Sequence, residues 1–182
     1  MAGRPRSFDR DEALETVLRA FWRNGYDGVT VDQLAGEVGV NAPSLYAAFG
    51  NKRELFDEAA ALYAERLDEA LARDLGAPTA REAIARLLHS AAVEFTAEGN
   101  PPGCLVMGEP LLAERRAKTR EAVLERLRSA QAAGELEGDP EELAALIAIV
   151  LAGMADRARD GADRIELERA GELTMRAWPT AA

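Results

Sequence analysis

"GVNAPSLYAAFGNK" (39–52) reads as a helix too thin to be core: Pro43 falls in its first turn and small residues surround a single Leu45. Alone it would bury little and barely hold together. Its purpose follows from its neighbours. Thr30-Val31-Asp32-Gln33 is a capping-box pattern opening a short helix that buries Leu34 and Val38, and Gly39 stops it. Asn41 caps the helix that follows, where proline in the first turn is tolerated. Two short helices joined by "GVN" form a helix-turn-helix, whose second helix enters the major groove and exposes small or hydrogen-bonding residues there. Leu45 and Phe49, four apart, tie that helix inward and leave Ala42, Ser44, Tyr46 and Ala47 to face out.

Outward from this pair, nearly every segment has helical periodicity and the breaks carry capping signals. Asp9-Arg10-Asp11-Glu12 opens a first helix with Ala13, Leu14, Val17, Leu18 and Phe21 on its apolar side, ending at Gly25. Asn51-Lys52-Arg53-Glu54 starts a long fourth helix to Gly76. Thr79 caps a fifth, to about Thr96, and "EGNPPG" (98–103) interrupts. Residues 104–113 and 114–133 are expected as two further helices. Asp139-Pro140 joins an N-cap to proline at the first helical position, and a last helix covers 163–178. The predicted fold is all-α: a three-helix domain with the helix-turn-helix over 1–50, then a larger helical domain over 51–182.

Composition sets further bounds. With 48% hydrophobic and 30% charged residues in 182, the chain is long enough to bury a core. No apolar run is long enough to span a bilayer and no charged-then-apolar leader is present, so the expected location is cytoplasmic and no membrane partner is expected. One cysteine excludes an intrachain disulfide and fits a reducing compartment; one histidine beside it supplies neither a metal site nor a Cys/His catalytic pair. No metal, cofactor or catalytic residue is expected. The net charge of −10 is uneven: residues 1–55 hold 7 Lys/Arg against 8 Asp/Glu, and the rest 15 against 24. A polyanion is repelled by the second part and tolerated by the first.

The stretch "ALETVLRAFWRNGYDGVTVDQLAGEVGVNAPSLYAAFGNKRELF" (13–56) resembles the amino-terminal domain of the TetR family of transcriptional regulators. It has an apolar first helix ending at Gly25-Tyr26, Thr30 opening the second, then "LAGEVGV", "PSLYAAF" and Lys52. "GCLV" (103–106) and "RAW" (176–178) resemble one widespread subgroup. The resemblance implies an all-α homodimer that binds double-stranded operator DNA through a DNA-binding domain over 1–50 and an unidentified small-molecule effector through a ligand-binding and dimerisation domain over 51–182. It places Thr30, Tyr46 and Lys52 at phosphates, which suits helix N-termini and lysines. Asn41, Ala42 and Ser44 fall where base-reading residues sit, and Gln33 is within reach of a base from the second helix. Arg4 and Arg6 form a basic arm suited to a minor groove. The recognition helix has no Arg, Gln or Lys for a bidentate base contact. Readout by Asn41 and Ser44, thymine-methyl contact and DNA shape is expected instead.

Tyr63, Leu67, Leu88, His89, Phe95, Cys104, Met107 and Leu127 are candidate effector-pocket residues, with plain core or surface as the alternative. Small residues Ala148, Ala152 and Gly153 among apolar ones permit close helix approach. Leu146, Ile149, Val150, Gly153, Met154, Leu173 and Trp178 are the expected dimer interface, a four-helix arrangement of paired subunits. Two half-sites roughly 35 Å apart require two recognition helices. The overall expectation is a repressor released when effector binding moves the fourth helix. Two readings stand beside it: a redox- or electrophile-sensing regulator acting through Cys104, at a helix start where a thiolate is stabilised, and a dimeric helical scaffold without DNA binding. An enzyme on a helical bundle is disfavoured, since no Glu-x-x-His pair, phosphate loop or nucleophile motif occurs.

Overall fold

The computed structural model describes residues 8–179, and among them all regular structure is helical. The chain divides into two compact units, one running to Glu65 and one from Arg66.

In the first unit α1 (Arg10–Asn24) opens on Asp9, whose carboxylate accepts the N–H groups of Asp11 and Glu12. α2 (Val31–Val38) carries the complete reciprocal box between Thr30 and Gln33. It ends at Gly39 in the left-handed region (φ 79°, ψ 27°), with Val40 N–H donating back to the Ala35 carbonyl at 2.9 Å. A residue with a Cβ is strained in that conformation, so glycine sets the turn into α3. α3 (Ala42–Phe49) is capped by Asn41, whose side-chain oxygen accepts Ser44 N–H at 2.9 Å. α4 (Lys52–Leu75) contributes to both units. Its cap is also reciprocal: Asn51 accepts from the Arg53 and Glu54 N–H groups, and the Glu54 carboxylate accepts Asn51 N–H. Phe21, Phe56, Leu18, Leu34, Leu45 and Leu55 are fully buried in this unit. Burying each such side chain is worth about 1.5–3 kcal/mol.

The second unit adds α5 (Ala80–Phe95), α6 (Leu105–Gly108), α7 (Ala113–Ala132), α8 (Pro140–Arg159) and α9 (Arg164–Arg176). α5 packs on α8 and α9, α7 lies against α8, and α6 is held between α7 and α8. Thr79, Asp139 and Asp163 cap α5, α8 and α9. The structure differs from the sequence expectation at 104–113, which is not one helix. α6 spans four residues, Glu109 is extended (φ −99°, ψ 116°), and a 3₁₀ turn follows over Pro110–Leu112. Pro110 disfavours helical backbone at the residue before it, so α6 stops there. Arginines hold this irregular segment: Arg116 donates to the Val106 and Glu109 carbonyls at 2.8 and 2.7 Å, and Arg159 to the Cys104 carbonyl at 3.4 Å.

Candidate nucleic-acid interface

α3 is fastened from one side only. Leu45 is completely buried and Phe49 nearly so, whereas Tyr46 is 47% exposed, Ala47 is exposed, and Ala42 and Ser44 are half-buried. The helix therefore presents a phenol and methyl groups on a surface thin enough to approach a base edge. Asn41 is exposed and uses its side-chain oxygen in the cap, which does not engage its amide nitrogen.

Thr30 and Gln33 are coupled to each other. The Gln33 side-chain oxygen accepts the Thr30 N–H at 2.7 Å and its hydroxyl at 3.1 Å, while Gln33 N–H donates to that hydroxyl at 3.3 Å. The Gln33 carboxamide is thus oriented by the cap, and both residues are exposed. Lys52, half-buried at the first position of α4, has its ammonium 4.4 Å from the centre of the Tyr26 ring. Arg53 is exposed and paired with Asp57 at 2.8 Å; the hydrogen bond to Asp57 raises its pKa further above the ordinary range. Arg4 and Arg6 lie outside the described residues.

The expected pocket residues fall in different settings. Leu88, Phe95, Cys104 and Leu127 are buried in the second unit, where Leu67 and Met107 are half-buried. Tyr63 belongs to the first unit and packs edge-on against Trp22, with ring centres 4.9 Å apart. His89 is largely exposed and lies 3.6 Å from the Glu168 carboxylate. Cys104, only 2% exposed, offers a solution oxidant little thiol surface.

On α8, Leu146, Ile149, Val150 and Gly153 form one stripe at helical spacing, exposed or half-buried, and Leu173 on α9 is exposed as well. Met154 and Trp178, expected with them, are buried within their own chain instead. α8 is apolar on two sides, and Met154 lies on the side turned to the core along with Ile147, Leu151 and Ala155. Ile165, outside the expected set, is 58% exposed on α9.

Residues 13–59 match the model of the bacterial regulatory proteins of the tetR family. Over 97% of its length the chain is 31% identical to the HTH-type transcriptional repressor ComR of Escherichia coli K12, covering 92% of that protein. The chain belongs to the TetR family. It is a DNA-binding transcription regulator and not an enzyme. Among solved TetR-family structures it resembles the regulator CifR, as a cysteine mutant complexed with a 26 bp double-strand operator. Identity there is 39%, with a TM-score of 0.90, 97% of this chain and all of that one covered. It also resembles a TetR regulator from Rhodococcus sp. RHA1 at 35% identity and a TM-score of 0.63, covering 94% of this chain and all of that one. Among the described residues, no helix is long and apolar enough to cross a membrane.

Proposed function

We propose that the chain is a cytoplasmic, homodimeric repressor that a small-molecule effector releases from its operator. The observation that carries this reading is α3 itself: anchored by Leu45 and Phe49, capped by Asn41, and free of bulk on its open side except for the exposed phenol of Tyr46. That construction has no use in a scaffold. Residues 1–50 bind DNA in this reading, with Asn41, Ala42, Ser44 and Gln33 at base edges and Thr30 and Tyr46 at phosphates, joined there by Lys52 from the start of α4. Residues 51–182 hold the effector and the dimer contact.

The exposed stripe of Leu146, Ile149, Val150 and Gly153, with Leu173 on α9, supports pairing of two chains. An isologous contact of these helices buries each side chain twice. α4, shared by the two units, is the element through which an effector bound among the second unit's helices changes the spacing of two recognition helices. Such a switch requires a differential affinity of about 1–3 kcal/mol between the two states.

The test is a mobility shift on duplex from the region upstream of the protein's own gene, comparing wild type with Tyr46→Phe and Lys52→Ala. Salt-sensitive, sequence-preferring binding that weakens in both variants is expected. Wild-type binding that does not change between low and high salt would sink the reading, because phosphate contacts release counterions.

A further inference from the structure

We propose that Tyr26 is a positioning residue for the interface, holding the Lys52 ammonium on its ring face so that it is already in place when a DNA phosphate arrives. This rests on Lys52 being a phosphate contact, as proposed above.

Lys52 is awkwardly placed by itself. It is the first residue of α4, at the positive end of the helix dipole, where a cation is disfavoured. Its four-carbon stem also has many rotamers, whose freedom is lost when the ammonium is fixed against a phosphate. The 4.4 Å separation from the Tyr26 ring centre addresses both difficulties. The negative ring face attracts the charge, and the contact selects one region of rotamer space before binding, which lowers the ordering cost on association.

The platform is itself rigid. Tyr26 meets the edge of Phe56 at 5.1 Å and 72°, and stacks on Phe21 at 6.1 Å and 17°. Phe21 and Phe56 are buried and meet edge-on at 5.1 Å. The backbone at Lys52 is pinned separately by the reciprocal Asn51–Glu54 cap. A face of the ring occupies one side of the ammonium, and an –NH₃⁺ group has three donors to direct elsewhere. Gly25-Tyr26 thus does more than end α1: it carries the seat for a charge 26 residues further on.

The experiment varies the electron density of the ring at constant shape. Phenylalanine, then mono-, di- and trifluorophenylalanine, are incorporated at position 26 in the full chain. Affinity and salt dependence are measured on a duplex that the wild-type protein selects from a randomised pool. Affinity is expected to fall stepwise with fluorination, by about two- to fivefold per subunit across the series, with thermal stability unchanged. In a Lys52→Ala background the series is expected to be flat, and Lys52→Ala alone to reduce the salt slope by roughly one per subunit. A flat series with Lys52 present would overturn the proposal, as would an equal fall without Lys52, which would mark Tyr26 as packing only. A salt slope unmoved by Lys52→Ala would overturn it from below, by removing Lys52 from the phosphate. Failure of the wild type to select any duplex would instead refute the DNA-binding reading as a whole.

Discussion

Arg10 and Glu58 meet through two guanidinium nitrogens and two carboxylate oxygens, Nη2 to Oε2 at 2.7 Å, while the same guanidinium lies 4.4 Å from the centre of the Phe49 ring. One side chain thus joins the first turn of α1 to α4 and to the last residue of the recognition helix. The hydrogen bonds that Arg10 donates to the Glu58 carboxylate raise the Arg10 pKa, against an opposing effect of desolvation. Both partners are about one-third exposed, so solvent screens part of the attraction. Arg10→Ala is expected to cost about 1–2 kcal/mol, ion pair and ring contact together. Urea unfolding followed by Trp22 fluorescence, in a Trp178→Phe background that removes the second tryptophan, measures it. A loss of a few tenths would show that screening cancels the pair.

Asn41 has two proposed duties, and substitutions separate them. Its side-chain oxygen caps α3, and losing it costs about 1 kcal/mol in Asn41→Ala. Asn41→Ser keeps an N-cap oxygen but removes the amide donor. Stability close to wild type with an altered base preference at one operator position is the expected result for Asn41→Ser. Unaltered preference in a selection from randomised duplexes would restrict Asn41 to capping.

The stripe on α8 and α9 predicts the oligomeric state. Ile149 is 70% exposed and Leu173 59%, so a carboxylate at either position is harmless to an isolated chain. Buried across a two-fold contact it is present twice, unpaired. Ile149→Asp is expected to raise the dimer dissociation constant by about 100-fold or more, with helix content retained. Sedimentation equilibrium decides: a variant whose mass matches wild type at every concentration would remove Ile149 from the contact.

The helices were legible because their signals are local. Thr30 with Gln33, Asn41, and Asp139 before Pro140 each act within one turn, and the structure has each at a helix start. The break at Glu109–Pro110 was legible in principle from the proline, but the apolar run Leu111-Leu112-Ala113 masked it. Side-of-helix questions were harder. Met154 sits four residues from Val150 on a helix apolar on two sides, and only the packing of α8 on its neighbours decides that Met154 turns inward. Tyr26 with Lys52, and Arg10 with Phe49, depend on the path of the chain between helices. No spacing rule reports that path. Arg4 and Arg6 fall outside the described residues, so their part stays an expectation from the sequence.

Asp139 gives α8 a pH-dependent start. Its carboxylate accepts the N–H groups of Glu141 and Glu142, and these hydrogen bonds hold its pKa below the ordinary 3.8. A pKa lower when folded means that the contribution is complete above the unfolded value and is lost as pH falls through the folded one. Asp139→Asn keeps a capping oxygen but does not titrate. Wild type is expected to be the more stable at pH 7, with the gap constant down to about pH 5 and closing below about pH 4. A gap that widens on acidification would contradict the cap as the source of the shift.

Two glycines on the same unit should respond oppositely to one methyl group. Gly103 lies in the left-handed region (φ 81°), and a Cβ there would stand 2.7 Å from the Ala155 carbonyl oxygen and 3.0 Å from the Arg159 side chain. The arginine tip can yield, but the carbonyl belongs to α8 and cannot. Gly103→Ala is expected to destabilise by at least about 2 kcal/mol, combining left-handed strain with the clash. Gly153, inside α8 and exposed, has no atom within 4 Å of the same position beyond its chain neighbours and its own helix backbone. Gly153→Ala therefore gains helix propensity, about 0.5–1 kcal/mol in the isolated chain. In the dimer that methyl enters the proposed contact, where small residues let helices approach closely. The expected outcome is a chain that unfolds at higher denaturant when dilute but associates more weakly. Concentration-dependent thermal unfolding reads both effects at once, and association strengthened by Gly153→Ala would place the close approach elsewhere on the stripe.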